Sequence, residues 1–346
     1  MKLASFSVIN YRSITNARKI QTSNMTVLVG KNNEGKSNIL RALTLAMDIM
    51  KMYSANPRML MVANRYLRGK YSWERDYPMA LQEVNPNGSS SVDLIFELSN
   101  DEISDIRQST GIRITSNIPV RVSVNHSTAK IDIPKRGTPA FSDAAKKKII
   151  IEYICGKIDF NFIPAVRTER DALKVVEMFI ENELKVLENN SEYEEAVNTI
   201  NKLQQDVLNS ISERIKEPMQ EFLPAVQNIQ INIKNEERRM ALRRSTEVII
   251  DDGTPTPIEQ KGDGIKSLTA LAMLNIVDKT DSVSVIAIEE PESHLHPESS
   301  RQLYETIQTL SLDHQVVLTT HSPLFVNREK SVSYTHLRAH ETRHDL

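Results

Sequence analysis

The most specific chemistry in this chain sits in Gly30-Lys31-Asn32-Asn33-Glu34-Gly35-Lys36-Ser37. These residues fill every fixed position of the pattern G-x-x-x-x-G-K-[ST]. Loops of this kind turn on glycine and open a helix, so backbone N–H groups and the positive end of a helix dipole converge on one point. That arrangement suits the β- and γ-phosphates of a nucleoside triphosphate. Lys36 would neutralise phosphate charge and the Ser37 hydroxyl would ligate Mg²⁺. The candidate nucleotide-binding residues are therefore Gly30, Asn32, Asn33, Glu34, Gly35, Lys36, Ser37 and Asn38.

A second set of groups lies far along the chain. The apolar run 283–288 ends in Glu289 and Glu290, and the C-terminal end of such a strand is where α/β sheets hold their ligands. Glu289 would hold Mg²⁺ through its water shell, and Glu290 would polarise an attacking water. His321, just past the apolar run 316–318, is a candidate donor to a γ-phosphate. Gln260 to Leu268 is a glycine turn opening a helix, a second place where an anion can meet a helix N-terminus. His294 and His296 are close in sequence but lack a third ligand at a spacing useful for zinc.

The elements that must position these groups can be read from periodicity. Residues 2–29 alternate apolar and polar positions and predict strands, with 25–29 running into the glycine loop. A helix is expected from Lys36 to Met52, with Ile39, Leu40, Leu43, Ala46, Met47 and Met50 on one face. Residues 53–91 are irregular, broken by Pro57, Pro78, Pro86 and Asn87-Gly88. There Tyr71, Trp73 and Tyr77 lie among Arg65, Arg68, Lys70 and Arg75. The mixture fits either a stacking platform for bases or an aromatic-anchored loop. Strands are predicted at 92–98, 112–114, 119–124, 130–133 and 157–166, with helices at 102–108 and 142–155. Residues 171–217 space apolar side chains three and four apart on both sides of Asn189-Asn190, the pattern of a helical hairpin. It fits a dimerisation arm or a subdomain on its own core. Strands at 230–234 and 247–250 precede a helix at 265–278, a strand at 283–288, a helix at 297–310 and a last strand at 315–319.

Charged residues make up 25% of the chain and hydrophobic ones 40%, with a formal net charge of −2. Bulk charge thus gives no support for nucleic-acid binding, although a local basic groove remains compatible with it. The single cysteine, Cys155, cannot form an internal disulfide and reads as a small core residue. The N-terminus has no signal-peptide core and no segment has the length to span a bilayer. The expected location is the cytoplasm, with no membrane partner.

Taken in order, the phosphate loop, the helix-opening glycine turn, Glu289-Glu290-Pro291-Glu292-Ser293-His294-Leu295-His296-Pro297 and Thr320-His321-Ser322-Pro323 resemble the ABC-type ATPases of the RecF/SMC branch. Within it they resemble the ATPase domain of the OLD-family nucleases, which include the Gabija defence nuclease. The resemblance covers about residues 1–328, with 53–245 matching only in layout. It implies an α/β P-loop NTPase core with an antiparallel β lobe and a helical hairpin insertion. It also implies ATP and Mg²⁺ as cofactors, with catalysis through Glu290 and His321. Gly262, Gly264 and Ser267 would form a signature turn that reaches, in a homodimer, the ATP held by the partner's loop. That turn differs from the Leu-Ser-Gly-Gly-Gln of transporter ABC proteins, and Arg167 falls where OLD-like proteins often place an arginine.

The implied layout is an N-terminal ATPase half over 1–166, a helical insertion over 167–225 and a C-terminal ATPase half over 226–330. Ser333 to Thr342 resembles a translated sequencing-adaptor read-through, so 331–346 is read as a foreign tail and the Toprim nuclease domain of the family as missing. DNA is the implied partner of the intact protein. A stand-alone ATPase acting on a separate effector protein, as in Septu-type pairs, and a RecF-like repair ATPase are the alternatives.

Overall fold

The computed structural model describes residues 1–30, 35–112, 114–134, 143–165, 169–273, 283–293, 295, 297–326 and 333–336. The chain divides into two units, one made of Met1–Arg167 with Leu274–Leu346 and the other of Thr168–Met273.

The first unit contains two five-stranded sheets. One is antiparallel, in the order β2 (Ile14–Gln21), β1 (Lys2–Tyr11), β4 (Ser90–Glu97), β5 (Asn117–Val124) and β6 (Ala129–Asp132). Its strands alternate: β4 buries every second residue from Ser90 to Phe96, as a sheet with one covered face requires. The other sheet is parallel, in the order β12 (Ser333–His336), β3 (Met25–Val29), β11 (Gln315–Thr320), β10 (Val283–Glu289) and β7 (Ile158–Ile163). All six residues of β11 are buried, the continuous apolar signature of a central parallel strand.

Between the sheets runs α1 (Lys36–Ala55), which packs against β1, β4 and β5 on one side and β7, β10 and β11 on the other. The sequence predicts one apolar face. The helix instead buries Ala42, Leu45 and Ile49 as well, because an element enclosed on both sides must be apolar nearly all round. A second link joins the sheets. Buried Gln315 of β11 accepts from Leu3 N at 2.8 Å and donates to Leu3 O at 2.9 Å, so one side-chain amide completes the backbone of β1.

The region 53–91 holds short helices, α2 (Ala63–Tyr66), α3 (Trp73–Asp76) and α4 (Met79–Gln82). Tyr71, Trp73 and Tyr77 belong to the hydrophobic core. Trp73 stacks between Tyr77 and His126, with centroids 5.0 and 3.7 Å away, and its Nε1 donates to Gly88 O at 2.8 Å. These rings anchor the segment, and the base-stacking reading falls away because the ring faces are already occupied. Two further helices, α5 (Asn100–Thr110) and α6 (Ala144–Lys157), flank this unit. Ile112 and Ile114, predicted as a strand, lie outside any described strand. Cys155 is half-buried against the core, and burial pushes its thiol up to about 11.

In the second unit, α7 (Glu169–Lys185) and α8 (Ser191–Phe222) form as helices on the two sides of 189–190, but α7 packs against later helices of the unit rather than along α8, so the predicted hairpin packing is not seen. Leu203 and Val207 on α8 remain exposed. Residues 230–234 alternate like a strand but do not form one; Ile231 O instead accepts from Gln205 Nε2 on α8 at 2.8 Å. The next helix, α9 (Asn235–Arg244), is absent from the sequence expectation because it has almost no apolar periodicity. It is held by charge: Arg239 meets Glu194 at 2.7 Å, Arg243 pairs with Glu188, and Arg244 meets Glu181 at 2.5 Å. The unit is completed by the hairpin of β8 (Ile249–Asp251) and β9 (Pro255–Pro257) and by α10 (Asp263–Ala272). Helix α11 (Pro297–Asp313) returns to the first unit. Among the described residues no helix is long and apolar enough to cross a membrane.

Candidate active site

Three parallel strands deliver the predicted chemistry to one edge. β3 leads to Gly30, β10 ends at Glu289, and β11 ends at Thr320, directly before His321. All three exits are C-terminal strand ends, and they border a cleft of about 730 Å³. Gly35, Lys36, Ser37, Asn38, Glu289, Glu290 and His321 line it, together with Arg12, Ser13 and Arg41.

Gly35 caps α1 in the left-handed conformation, at φ 87°. A Cβ there would stand 3.1 Å from Ser13 Oγ and 3.3 Å from Ile14 Cγ1, so both backbone and space call for glycine. No side chain caps α1 among the described residues, and the N–H groups of its first turn point the way an anion at a helix N-terminus requires. Buried Lys36 donates from Nζ to Gly30 O at 2.8 Å and stands 3.5 Å from His321 Nδ1. Beyond it, His321 Nε2 lies 3.0 Å from Glu290 Oε1.

Glu289 is almost fully buried, and its Oε2 lies 3.4 Å from Arg41 Nη2. Glu290 adopts φ 44°, a strained backbone for a side-chain-bearing residue. The conformation is fixed by its N–H, which donates to Thr319 O at 3.0 Å and to Thr319 Oγ1 at 3.1 Å. Strain held this way is typical of functional positions.

Arg12, Ser13 and Arg41 were missed by sequence reasoning. Arg41 carried a signal, since it lies one helical turn beyond Ser37 on the same face. Arg12 carried none, because its placement comes from the turn between β1 and β2. It has φ 52°, its Nε donates to Asp76 Oδ1 at 2.7 Å and its Nη1 to Asn38 Oδ1 at 3.3 Å. Asn38 Nδ2 in turn donates to Ser13 Oγ at 2.9 Å. Asp76 has no exposed surface, and burial works to raise its pKa. Bonds from Arg75, Ser72 N and Arg12 outweigh that effect and hold the carboxyl below the usual aspartate range.

Other predicted residues lie elsewhere. Lys31, Asn32, Asn33, Glu34, Arg167, His294 and His296 fall outside the described residues. The turn of Gly262, Gly264 and Ser267 belongs to the second unit, where Gly262 O accepts from Ile265 N at 3.0 Å and Lys266 N at 3.2 Å as α10 begins.

The cleft's chemistry fits a magnesium–triphosphate. It offers Arg12, Lys36 and Arg41 as cations, the N-terminus of α1, and carboxylates at 289 and 290. Its volume falls in the range of ligand pockets, about 300–1,000 Å³. No group of three His, Cys, Asp or Glu residues is assembled for a metal among the described residues. Mg²⁺ in nucleotide sites needs only one or two carboxylates beside the phosphates.

A model of the AAA ATPase domain matches residues 1–326. The chain belongs to this family of AAA ATPase domains. Among solved structures, this ATPase domain is similar to an Smc head bound to the C-winged helix domain of ScpA. The identity is 14% and the TM-score 0.52, over 94% of this chain and 91% of that one, so the two share a fold. An Smc head with an extended coiled coil, bound to the C-terminal domain of ScpA from Pyrococcus furiosus, is 15% identical with a TM-score of 0.48, covering 97% and 94%. The SMC head domain from Thermotoga maritima is 12% identical with a TM-score of 0.43, covering 94% and 91%. No curated protein sequence matches the chain. The chain is thus an AAA ATPase domain, and it shares the mixed α/β fold of that Smc head.

Proposed function

We propose that this domain binds ATP with Mg²⁺ in the Gly35–His321 cleft and hydrolyses it as the ATPase module of an OLD-like DNA endonuclease. The observation that carries the hydrolytic reading is the line Lys36–His321–Glu290, with separations of 3.5 and 3.0 Å at the end of the phosphate helix. In this reading Lys36 and the N–H groups of α1 bind the phosphates, and Arg12 adds charge beside them. Ser37 and Glu289 would hold Mg²⁺, which would supply positive charge against the phosphates. Glu290 accepts a proton from the attacking water, and His321 donates to the terminal phosphate. The Gly262–Ser267 turn completes the site of a second copy in a two-fold dimer.

Lys36→Ala tests the site directly. It should abolish hydrolysis and weaken binding of a fluorescent ATP analogue; wild-type hydrolysis by the purified variant would refute the assignment. The pairing with a DNA nuclease is supported by the run from Glu289 to Pro297 and by Thr320-His321-Ser322-Pro323. The genomic DNA past codon 330 tests it. A Toprim-like Glu followed by Asp-x-Asp supports it, whereas a stop codon beside a separate nuclease gene supports an ATPase that regulates a partner effector.

A further inference from the structure

Past the two carboxylates at the end of β10 stands a third, Glu292, that faces away from any nucleotide role. Its Oε1 accepts from Thr320 Oγ1 at 2.6 Å, from His321 N at 2.9 Å and from Ser322 N at 3.2 Å. The same carboxylate's Oε2 is buried and has no hydrogen-bond partner among the described residues. A solvated carboxylate would share its donors between both oxygens. Here all three come from one short turn, residues 320–322, so the carboxylate is committed to holding that turn.

The turn held in this way is the exit of β11, which carries His321. Glu290 reaches back in the opposite sense, its N–H donating to Thr319 O and Oγ1. The exits of β10 and β11 are therefore clasped from both sides, which leaves the His321 ring between Glu290 and Lys36.

We propose that Glu292 is the positioning residue for His321: through three bonds to residues 320–322 it fixes the imidazole against Glu290 at the phosphate end of the cleft. This rests on the reading of the cleft as an ATP-hydrolysing site. The clasp uses an acceptor at one oxygen, which a side-chain amide also supplies. Glu292→Gln keeps an acceptor at the Oε1 position, whereas Glu292→Ala releases the turn.

Two measurements on the full chain test it. In steady-state kinetics, Glu292→Ala should lower kcat for ATP by about 10- to 100-fold, the scale of an ångström-sized misplacement, with KM within about threefold. The double variant with His321→Ala should be no slower than His321→Ala alone, because Glu292 acts through that ring. Glu292→Gln should recover most of the rate. Losses that multiply in the double variant, or a raised KM with unchanged kcat, would overturn the proposal.

The second measurement is independent of hydrolysis. In histidine-ring NMR, the His321 signal, identified by its loss in His321→Ala, should move in Glu292→Ala and stay near its place in Glu292→Gln. An unmoved signal in Glu292→Ala overturns the positioning role. A moved signal in a protein that hydrolyses no ATP would sustain the clasp and refute the ATPase reading instead.

Discussion

Replacing Asp76 by Asn removes one charge from the hub that places Arg12 in the cleft. The carboxylate has no exposed surface and takes Arg12 Nε at 2.7 Å, Arg75 Nη2 at 2.7 Å and Ser72 N at 2.9 Å. Breaking a fully buried ion pair costs about 3–5 kcal/mol, whereas an exposed pair contributes about 0–1. The Arg12 side chain is 24% exposed and that of Arg75 is 50% exposed, so solvent offsets part of the loss. We expect a destabilisation of about 2–3 kcal/mol, or roughly 4–12 °C in Tm for a unit of this size. Trp73 is the only tryptophan and lies in the same short helix as Asp76, so its fluorescence on heating reads this region. Because the folded pKa of Asp76 is depressed, its contribution is present above the unfolded value of about 3.9 and is lost as pH falls through the folded one. The Tm gap between wild type and variant should therefore hold from about pH 8 to pH 5 and close at more acidic pH. A gap under about 1 °C at neutral pH, or one that widens on acidification, would refute the assignment of Asp76 as a charged anchor.

Two further outcomes are expected. Gln315→Leu removes the amide that joins the sheets, leaving Leu3 N without its acceptor while Leu3 O keeps the Thr22 hydroxyl. Chemical denaturation should show a loss of about 1–3 kcal/mol, and an unchanged midpoint would show the bridge to be dispensable. Lys36→Ala and Gly264→Arg should each be inactive alone yet recover about a quarter of wild-type hydrolysis when mixed, since a two-fold dimer gathers both lesions in one site. No recovery despite proven subunit exchange would place the Gly262–Ser267 turn within its own chain.

How far the sequence reaches depended on how local each determinant was. The strand, glycine turn and helix around Gly35 are specified by neighbouring residues, and Lys36 and Ser37 fall in the cleft as the motif requires. Glu289 and Glu290 were legible because an apolar strand ends on them. Arg12 was not, because its place depends on Asp76, 64 positions away, and on a left-handed backbone with no glycine to announce it. The aromatic segment 71–77 left two readings open, and only packing on His126 and Gly88 closes the question. Helix α9 escaped periodicity because ion pairs, not an apolar face, hold it. Glu292 looked like a spacer between motifs; only the three-dimensional approach of two strand ends reveals its bonds to residues 320–322.

The central claim is that Glu290 activates the water that attacks ATP held by Lys36 and Ser37. It is tested most directly by measuring ATP binding and hydrolysis side by side in wild type and Glu290→Gln. The side chain keeps its size, and the Glu289 carboxylate is untouched. ATP affinity should stay within about threefold of wild type, while kcat falls by about 10²–10⁴-fold, the range of general-base catalysis, and an ATP-stabilised dimer should appear on size-exclusion chromatography. Hydrolysis at the wild-type rate by Glu290→Gln would contradict the account.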